Sequence, residues 1–409
     1  MKRVLLATSA LCLGAGTAMA QDMGVTPTVT LSGNAEMGVA GSKDDDARFH
    51  TDMDITFKAS GETDAGVKFS ATIDIDEVTA DKATGTGVAD AKLIDQATND
   101  DEDDGGVTIS ISQPETFGTL TMGDTAGAIA WAVADARGAQ PGSIRDNHEH
   151  GGSSGNDGLD ATHDNQILLW NRDIGSGFSM AASVEIDDDA DGKTGTPTYD
   201  PILGIGGKYE MGMGVGKLGL GAGFQMGSKM HTMAAYKAPG ATTTPAALWE
   251  GEVDATAFGA SVTLDFTSGG DGIKVIADGG VMEADGETVV EGRVTDNADV
   301  EKMHLGIGLG YTVGAISLGI NAGSVVEEST DNPAGNDNNH MLETTKSGVG
   351  FSAAYDLGGG AALQFGVGTH ETEHDWTVEG NTTASGSGTG GYDSSSDTNS
   401  WSLGIKFAF

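Results

Sequence analysis

Residues 303–311 read Met-His-Leu-Gly-Ile-Gly-Leu-Gly-Tyr. Large apolar side chains hold every second position (Met303, Leu305, Ile307, Leu309, Tyr311), and Lys302, His304, Gly306, Gly308 and Gly310 fill the places between. A helix would scatter the apolar set around its circumference. A strand sends all of it to one face, because successive side chains point to opposite sides of a sheet. The glycines argue the same way, since each interior Gly costs a helix about 1 kcal/mol.

The pattern repeats in both directions. Val67, Phe69, Ala71, Ile73 and Ile75 interleave with Lys68, Ser70, Thr72, Asp74 and Asp76. Met53, Ile55, Phe57 and Ala59 do so with Asp52, Asp54, Thr56 and Lys58. Ile316, Leu318 and Ile320 alternate with Ser317, Gly319 and Asn321, and the chain ends on Trp401, Leu403, Ile405, Phe407 and Phe409 at the same spacing. Between such segments the connectors alternate in kind. Some are short and rich in turn formers, such as Gly61–Ala65, Gln113–Thr116, Asp173–Ser176, Gly212–Val215, Thr267–Asp271 and Gly358–Gly360. Others are long, polar and acidic, over roughly 42–50, 78–105, 125–163, 188–199, 229–250, 285–299, 327–340 and 374–397.

About sixteen strands of 8 to 15 residues lie between these connectors. An even count, with tight turns at one end and long loops at the other, predicts an all-β transmembrane antiparallel barrel with short periplasmic turns and long extracellular loops. Strands of about 9–11 residues suffice to cross a bilayer obliquely. A β sandwich or β-helix would also alternate and bury its apolar face in a core, but a sandwich has no reason to gather its long loops at one end. Sixteen strands enclose water rather than packed side chains, so the inner face is expected to be polar. Its many glycines (Gly219, Gly221, Gly223, Gly306, Gly308, Gly310, Gly366, Gly368) are expected to admit curvature without narrowing the lumen.

Composition narrows the functional classes. The 409 residues include 65 Gly, and 61 Asp and Glu stand against 21 Lys and Arg, a formal net charge of −40. A chain so acidic is no nucleic-acid binder, because phosphate neutralisation needs clustered cations. Mean hydropathy of −0.19 excludes a helical membrane protein. Residues 1–20, with Lys2 and Arg3 ahead of an apolar run and Ala18-Met19-Ala20 at the end, read as a secretory signal cut before Gln21. The single Cys, Cys12, lies inside it, so the predicted mature domain, 21–409, has no disulfide or thiolate metal site.

Several segments resemble the general diffusion porins of Gram-negative outer membranes, most of all those of alphaproteobacteria. Val29–Gly33 is similar to the porin first strand and Phe117–Gly123 to the fifth. The longest connector follows, and then Asn165–Trp170 and Gly177–Ala182 resemble the sixth and seventh strands. The terminal Phe409 resembles the signal read by the outer-membrane assembly machinery. The resemblance implies a barrel of sixteen strands that assembles as a homotrimer in contact with lipid and lipopolysaccharide, with segment 125–163 folded into the lumen to set the pore size. Two departures stand out: Asp124 takes a place where many porins carry Arg, and Ala132–Gly138 replaces the usual loop motif.

A passive channel needs a shaped, charged constriction and no catalyst. The candidate lining is Asp124, Asp135, Asp146 and Glu149 facing the cations that parity turns inward, Lys58, Lys68, Lys208, Lys217 and Lys406, with Arg172 as a further candidate. The stretch 126–136 is expected to form a short helix. Acid excess predicts a cation-preferring lumen. Acidic runs at Asp44–Asp46, Asp100–Asp104 and Asp187–Asp189 read first as hydrated loops and second as Ca²⁺ ligands, although no complete EF-hand spacing is present. His148-x-His150 has no third zinc ligand at fixed spacing, and no nucleophile elbow or phosphate-binding loop occurs. No cofactor is expected. The competing classes are a secreted Ca²⁺-binding surface or adhesion protein, which would carry Gly-rich nonapeptide repeats, and an outer-membrane barrel enzyme, which would need a Ser-His pair on the outer barrel wall.

Overall fold

A computed structural model describes residues 27–43, 46–75, 106–144, 158–160, 162, 166–186, 200–233, 249–290, 293–333, 339–379 and 390–409. In them the chain forms sixteen strands: β1 (Thr28–Ser42), β2 (Arg48–Glu62), β3 (Lys68–Ile75), β4 (Val107–Gln113), β5 (Gly118–Asp124), β6 (Gln166–Gly175), β7 (Phe178–Glu185), β8 (Ile202–Gly212), β9 (Lys217–Met233), β10 (Trp249–Asp265), β11 (Gly272–Val290), β12 (Arg293–Val313), β13 (Ile316–Pro333), β14 (Asn339–Gly358), β15 (Ala361–Glu379) and β16 (Gly390–Ala408). Each pairs antiparallel with its sequence neighbours, and β1 pairs with β16 to close the barrel. The last residue finishes that seam: Gly33 N–H donates to the Phe409 carbonyl (2.9 Å) and Phe409 N–H to the Gly33 carbonyl (3.0 Å). The predicted signal, 1–20, lies outside the described residues.

The short connectors are tight turns. Between β6 and β7 the chain reverses through Gly175, Ser176 and Gly177, all at positive φ (89°, 55° and 85°). Two glycines leave only one L side chain in the left-handed region, and the Asp173 carboxylate accepts from Gly175 N–H at 2.8 Å. At the other end, segments 285–299, 327–340 and 374–397 differ from expectation. They were expected as loops, yet β11 runs to Val290, β12 begins at Arg293, β13 reaches Pro333, β15 reaches Glu379 and β16 begins at Gly390. The ladder needs only backbone groups, so polar, acidic residues stay paired where both faces of the sheet are wet.

Facing residues of an antiparallel pair share a side of the sheet, so register sorts the faces. Leu305 is 57% exposed, Ile307 54%, Ile205 64% and Leu403 46%, all on the outer face. Above this belt the polarity inverts. In β10, Val253, Ala255 and Ala257 turn inward and are buried, while Glu252 and Asp254 point out. Glu283, Glu301, Glu328, Glu343 and Asp375 stand opposite one another on the outer side of β11 to β15. Just above them Asp299 faces Asp285. Partial burial, then the hydrogen bond and charge of Asp285, push the Asp299 carboxyl above the usual range.

Placing a charge on the belt should therefore cost far more than placing one in the lumen. Ile307→Lys is expected to destabilise the barrel by about 2–4 kcal/mol in lipid, and lumen-facing Thr56→Lys by less than about 1 kcal/mol. Reversible urea unfolding in bilayers measures both.

Candidate pore constriction

After β5 the chain turns into the barrel. It forms a short helix, α1 (Ala128–Ala132), and a 3₁₀ turn (Ala136–Ala139), then runs on to Ile144 along the inner wall. A backbone that leaves the sheet inside a barrel exposes N–H and C=O groups that need partners. The wall supplies them in strand order. Ala128 N–H donates to Ser183 Oγ on β7 (3.0 Å), Ala134 N–H to Ser261 Oγ on β10 (2.8 Å) and Ala136 N–H to Asp278 Oδ1 on β11 (2.8 Å). Lys274 Nζ donates to the Gly138 carbonyl (3.0 Å), Ser352 Oγ to Gln140 Oε1 (3.1 Å) and Gln364 Nε2 to the Pro141 carbonyl (3.2 Å). The returning part is tied as well: Gln225 Oε1 accepts from Leu159 N–H (2.7 Å), Gln225 Nε2 donates to Asp160, and Asp160 accepts from Gly127 N–H (2.7 Å).

The inward glycines are the bed on which this segment lies. A Cβ on Gly221 would come 2.0 Å from the Ala132 carbonyl oxygen, one on Gly308 2.0 Å from that of Ala136, and one on Gly310 1.8 Å from that of Ala139. Gly38 and Gly404 receive the Ile144 side chain in the same way, at 2.3 and 2.6 Å. The expectation that the inner glycines only ease curvature is thus corrected at Gly221, Gly223, Gly308 and Gly310, where close approach of a second backbone requires them. The apolar core of the protein lies at this contact: Ile129, Val133 and Leu159 pack with inward Ile202, Val253, Ala255, Met282 and Val300. Burying a side chain such as Ile129 contributes about 1.5–3 kcal/mol.

The candidate charges divide into groups. Asp135 caps the 3₁₀ turn by accepting from Arg137 N–H (2.7 Å) and ion-pairs with the Arg137 guanidinium (2.5 Å). Lys406 reaches Glu36 (2.7 Å), whose other oxygen lies 3.4 Å from His50 Nε2. This triad adjoins Gly38 and Gly404, at the level of the folded-in segment. Asp52, Asp54 and Asp74 also face inward on β2 and β3, and Asp124 packs against Gly106 beside Asp74. Left-handed backbone at Gly123 (φ 120°) breaks the alternation just before Asp124.

Lys58 and Lys68 face inward but sit near the short turns. Lys58 is level with Thr30, eight residues from Gly38, or about 27 Å along the strand. Arg172 is a correction: it stands opposite Met180, which is 40% exposed on the outer face, and its guanidinium lies 3.5 Å from the Glu115 carbonyl at a short turn. Asp146 and Glu149 lie outside the described residues, as do His148, His150, Asp44, Asp45 and the runs 100–104 and 187–189. Glu36, His50 and Asp278 were missed by sequence reasoning. Parity marks each as inward, but only the register with β16 and the folded-in segment selects them. Among the described residues no three His, Cys, Asp or Glu side chains gather to hold a metal ion.

A family model described as Gram-negative porin matches residues 7–375. A porin structure refined at 1.8 Å is similar over 93% of this chain and 100% of its own, with 22% identity and a TM-score of 0.54. The trimer form of OmpT, an outer membrane protein of Vibrio cholerae, is similar over 94% and 100%, with 13% identity and a TM-score of 0.54. An anion-selective porin from Comamonas acidovorans is similar over 94% and 100%, with 13% identity and a TM-score of 0.50. Comparison with curated proteins finds no match.

The glycine bed has a measurable consequence. Gly308→Val should lift the 3₁₀ turn off β12, at a cost of about 1–3 kcal/mol, with the barrel still closed. Single-channel conductance should change, because the folded-in segment no longer lies flat; an unaltered conductance would mean the segment does not bound the pore.

Proposed function

The chain belongs to the Gram-negative porin family, and from that premise we propose that it is a diffusion channel of the outer membrane for small hydrophilic solutes and ions, with a preference for cations. The supporting observation is the excess of inward carboxylates on the wall from β16 through β1 to β5. Asp135 and Arg137 neutralise each other. Glu36, Asp52, Asp54, Asp74 and Asp124 outnumber the inward Lys58 and Lys406 on the same side of the barrel, with His50 beside Glu36, while Lys208 and Lys274 reach the segment from the other wall. Carboxylates lining a narrow passage with low-dielectric walls concentrate cations there. The neighbour from Comamonas is anion-selective on the same fold, so the sign belongs to side chains and not to the barrel.

The reading includes a cleaved signal at 1–20, recognition of Phe409 during assembly, and a homotrimer, as in the Vibrio cholerae neighbour. It assigns no chemical step to the chain. The outward carboxylates above the belt support contact with lipopolysaccharide through divalent cations, since bare carboxylates and lipid phosphates repel. On this reading chelation with EDTA lowers the temperature at which the oligomer dissociates, and Ca²⁺ restores it; indifference to both counts against the bridge.

Selectivity is tested by reversal potentials of reconstituted channels in a KCl gradient. We expect a potassium-to-chloride permeability ratio above one, fading in molar salt as the screening length falls to about 3 Å. Glu36→Gln with Asp52→Asn should bring the ratio toward or below one. Anion preference in the unaltered protein would overturn the assignment.

A further inference from the structure

Below α1, toward the short turns, the lumen wall holds a cavity of about 360 Å³. The segment Trp131–Ala134 roofs it, and Gly219 on β9 gives a floor without a side chain, next to Gly221, on which the Ala132 carbonyl rests. Lys208 and Glu210 on β8 and Lys217 and Thr263 on β9 and β10 complete the wall. These residues face inward by register: Lys208 is opposite Gly221, Glu210 opposite Gly219, and Thr263 opposite Gly219 from the other side.

Two features set this cavity apart from the constriction charges. Trp131 is half-buried, and Lys208 Nζ stands 4.1 Å from its ring centroid, an arrangement that holds the ammonium by cation–π attraction without neutralising it. Among the described residues neither Lys208 nor Glu210 has an ion-pair partner, although they are two positions apart on one face of one strand. Asp265 at the far rim is turned to its own loop, accepting from Thr267 N–H (2.9 Å) and Thr267 Oγ1 (2.6 Å). Lys217, a second cation, stands opposite Asp265 at that rim. Lys208 and Glu210, close enough to feel each other's charge, lie two residues or about 7 Å apart along the strand, beside an indole.

A lone anion or cation would meet both signs here and gain little. A solute that carries both signs gains twice. We propose that this cavity is a binding subsite for short zwitterionic peptides, with the peptide carboxylate on Lys208, its ammonium on Glu210 and an apolar side chain against Trp131. An extended dipeptide spans about 7 Å, which matches the two-residue spacing of Lys208 and Glu210 along β8. The proposal rests on the channel reading and narrows it to a solute class.

Full-length protein in planar bilayers tests it, with glycyl-L-phenylalanine as probe and N-acetyl-L-phenylalanine amide as its uncharged counterpart. Glycylphenylalanine should give a saturable partial block with excess current noise, and the uncharged amide none. Lys208→Met and Glu210→Gln should each raise the half-blocking concentration about tenfold or more, as should Trp131→Ala, while Trp131→Phe should raise it less. The double exchange Lys208→Glu with Glu210→Lys should restore much of the block, because it keeps one charge of each sign. Equal block by both probes, or half-blocking concentrations that ignore these substitutions, overturns the subsite while conductance steps in KCl leave the channel reading standing. Absence of conductance steps overturns both.

Discussion

Hydrocarbon offers no hydrogen bonds to a peptide group, so a chain that crosses it must satisfy every N–H and C=O internally. A sheet does this only when it has no edge. The pairing of β1 with β16, completed by the two bonds between Gly33 and Phe409, removes the edge. With the backbone satisfied by its neighbours, side chains are free to follow their surroundings. That freedom explains why one strand, β10, is apolar outside at Phe258 and Val262 yet apolar inside at Val253, Ala255 and Ala257. The inversion marks where lipid tails end on the outer face and where the folded-in segment packs on the inner one.

The same requirement governs that segment. Backbone inside a barrel is shielded from much of the water, and an unpaired N–H there costs about as much as a lost hydrogen bond. Ser183, Ser261 and Asp278 each accept from one of its N–H groups, and Gln225 accepts from a third part of it at Leu159. Polar acceptors alone would hold the chain at a side chain's length. Glycines at 221, 308 and 310 let its carbonyls come down to the sheet. Acceptor and gap are both needed, and together they turn a long loop into a fixed shelf.

The barrel was legible because alternation is local: nine residues such as 303–311, five of them apolar, suffice to assign a face. The number of strands followed from the turns, whose glycines and prolines are also local signals. The upper parts of β11 to β16 were not legible, since acidic, Thr-rich sequence reads as loop whether or not its backbone is paired. The constriction was legible only by parity. Parity places Lys406 and Lys58 on the same inner face, but their heights depend on pairing with Glu36 in one case and Thr30 in the other. Arg172 shows the limit from the opposite side, since its pairing with Met180 fixes it outside. The glycines misled for a related reason. Sequence shows that a position lacks a side chain, and only the fold shows what occupies the space.

A strongly acidic chain need not have a uniformly acidic pore, and this one divides its charge by location. The outer carboxylates from Glu283 to Asp375 stand on the side of the sheet away from the lumen, where solvent screens them over about 8–10 Å. Within the lumen, paired groups such as Asp135 and Arg137 contribute a dipole and little net field. The net charge that an ion meets is therefore set by the balance of inward side chains near the shelf, Asp52 and Asp74 against Lys274 among them, and not by the total of −40. A barrel of this kind can change its ionic preference by a handful of substitutions at one height while every strand, turn and glycine of the scaffold stays as it is.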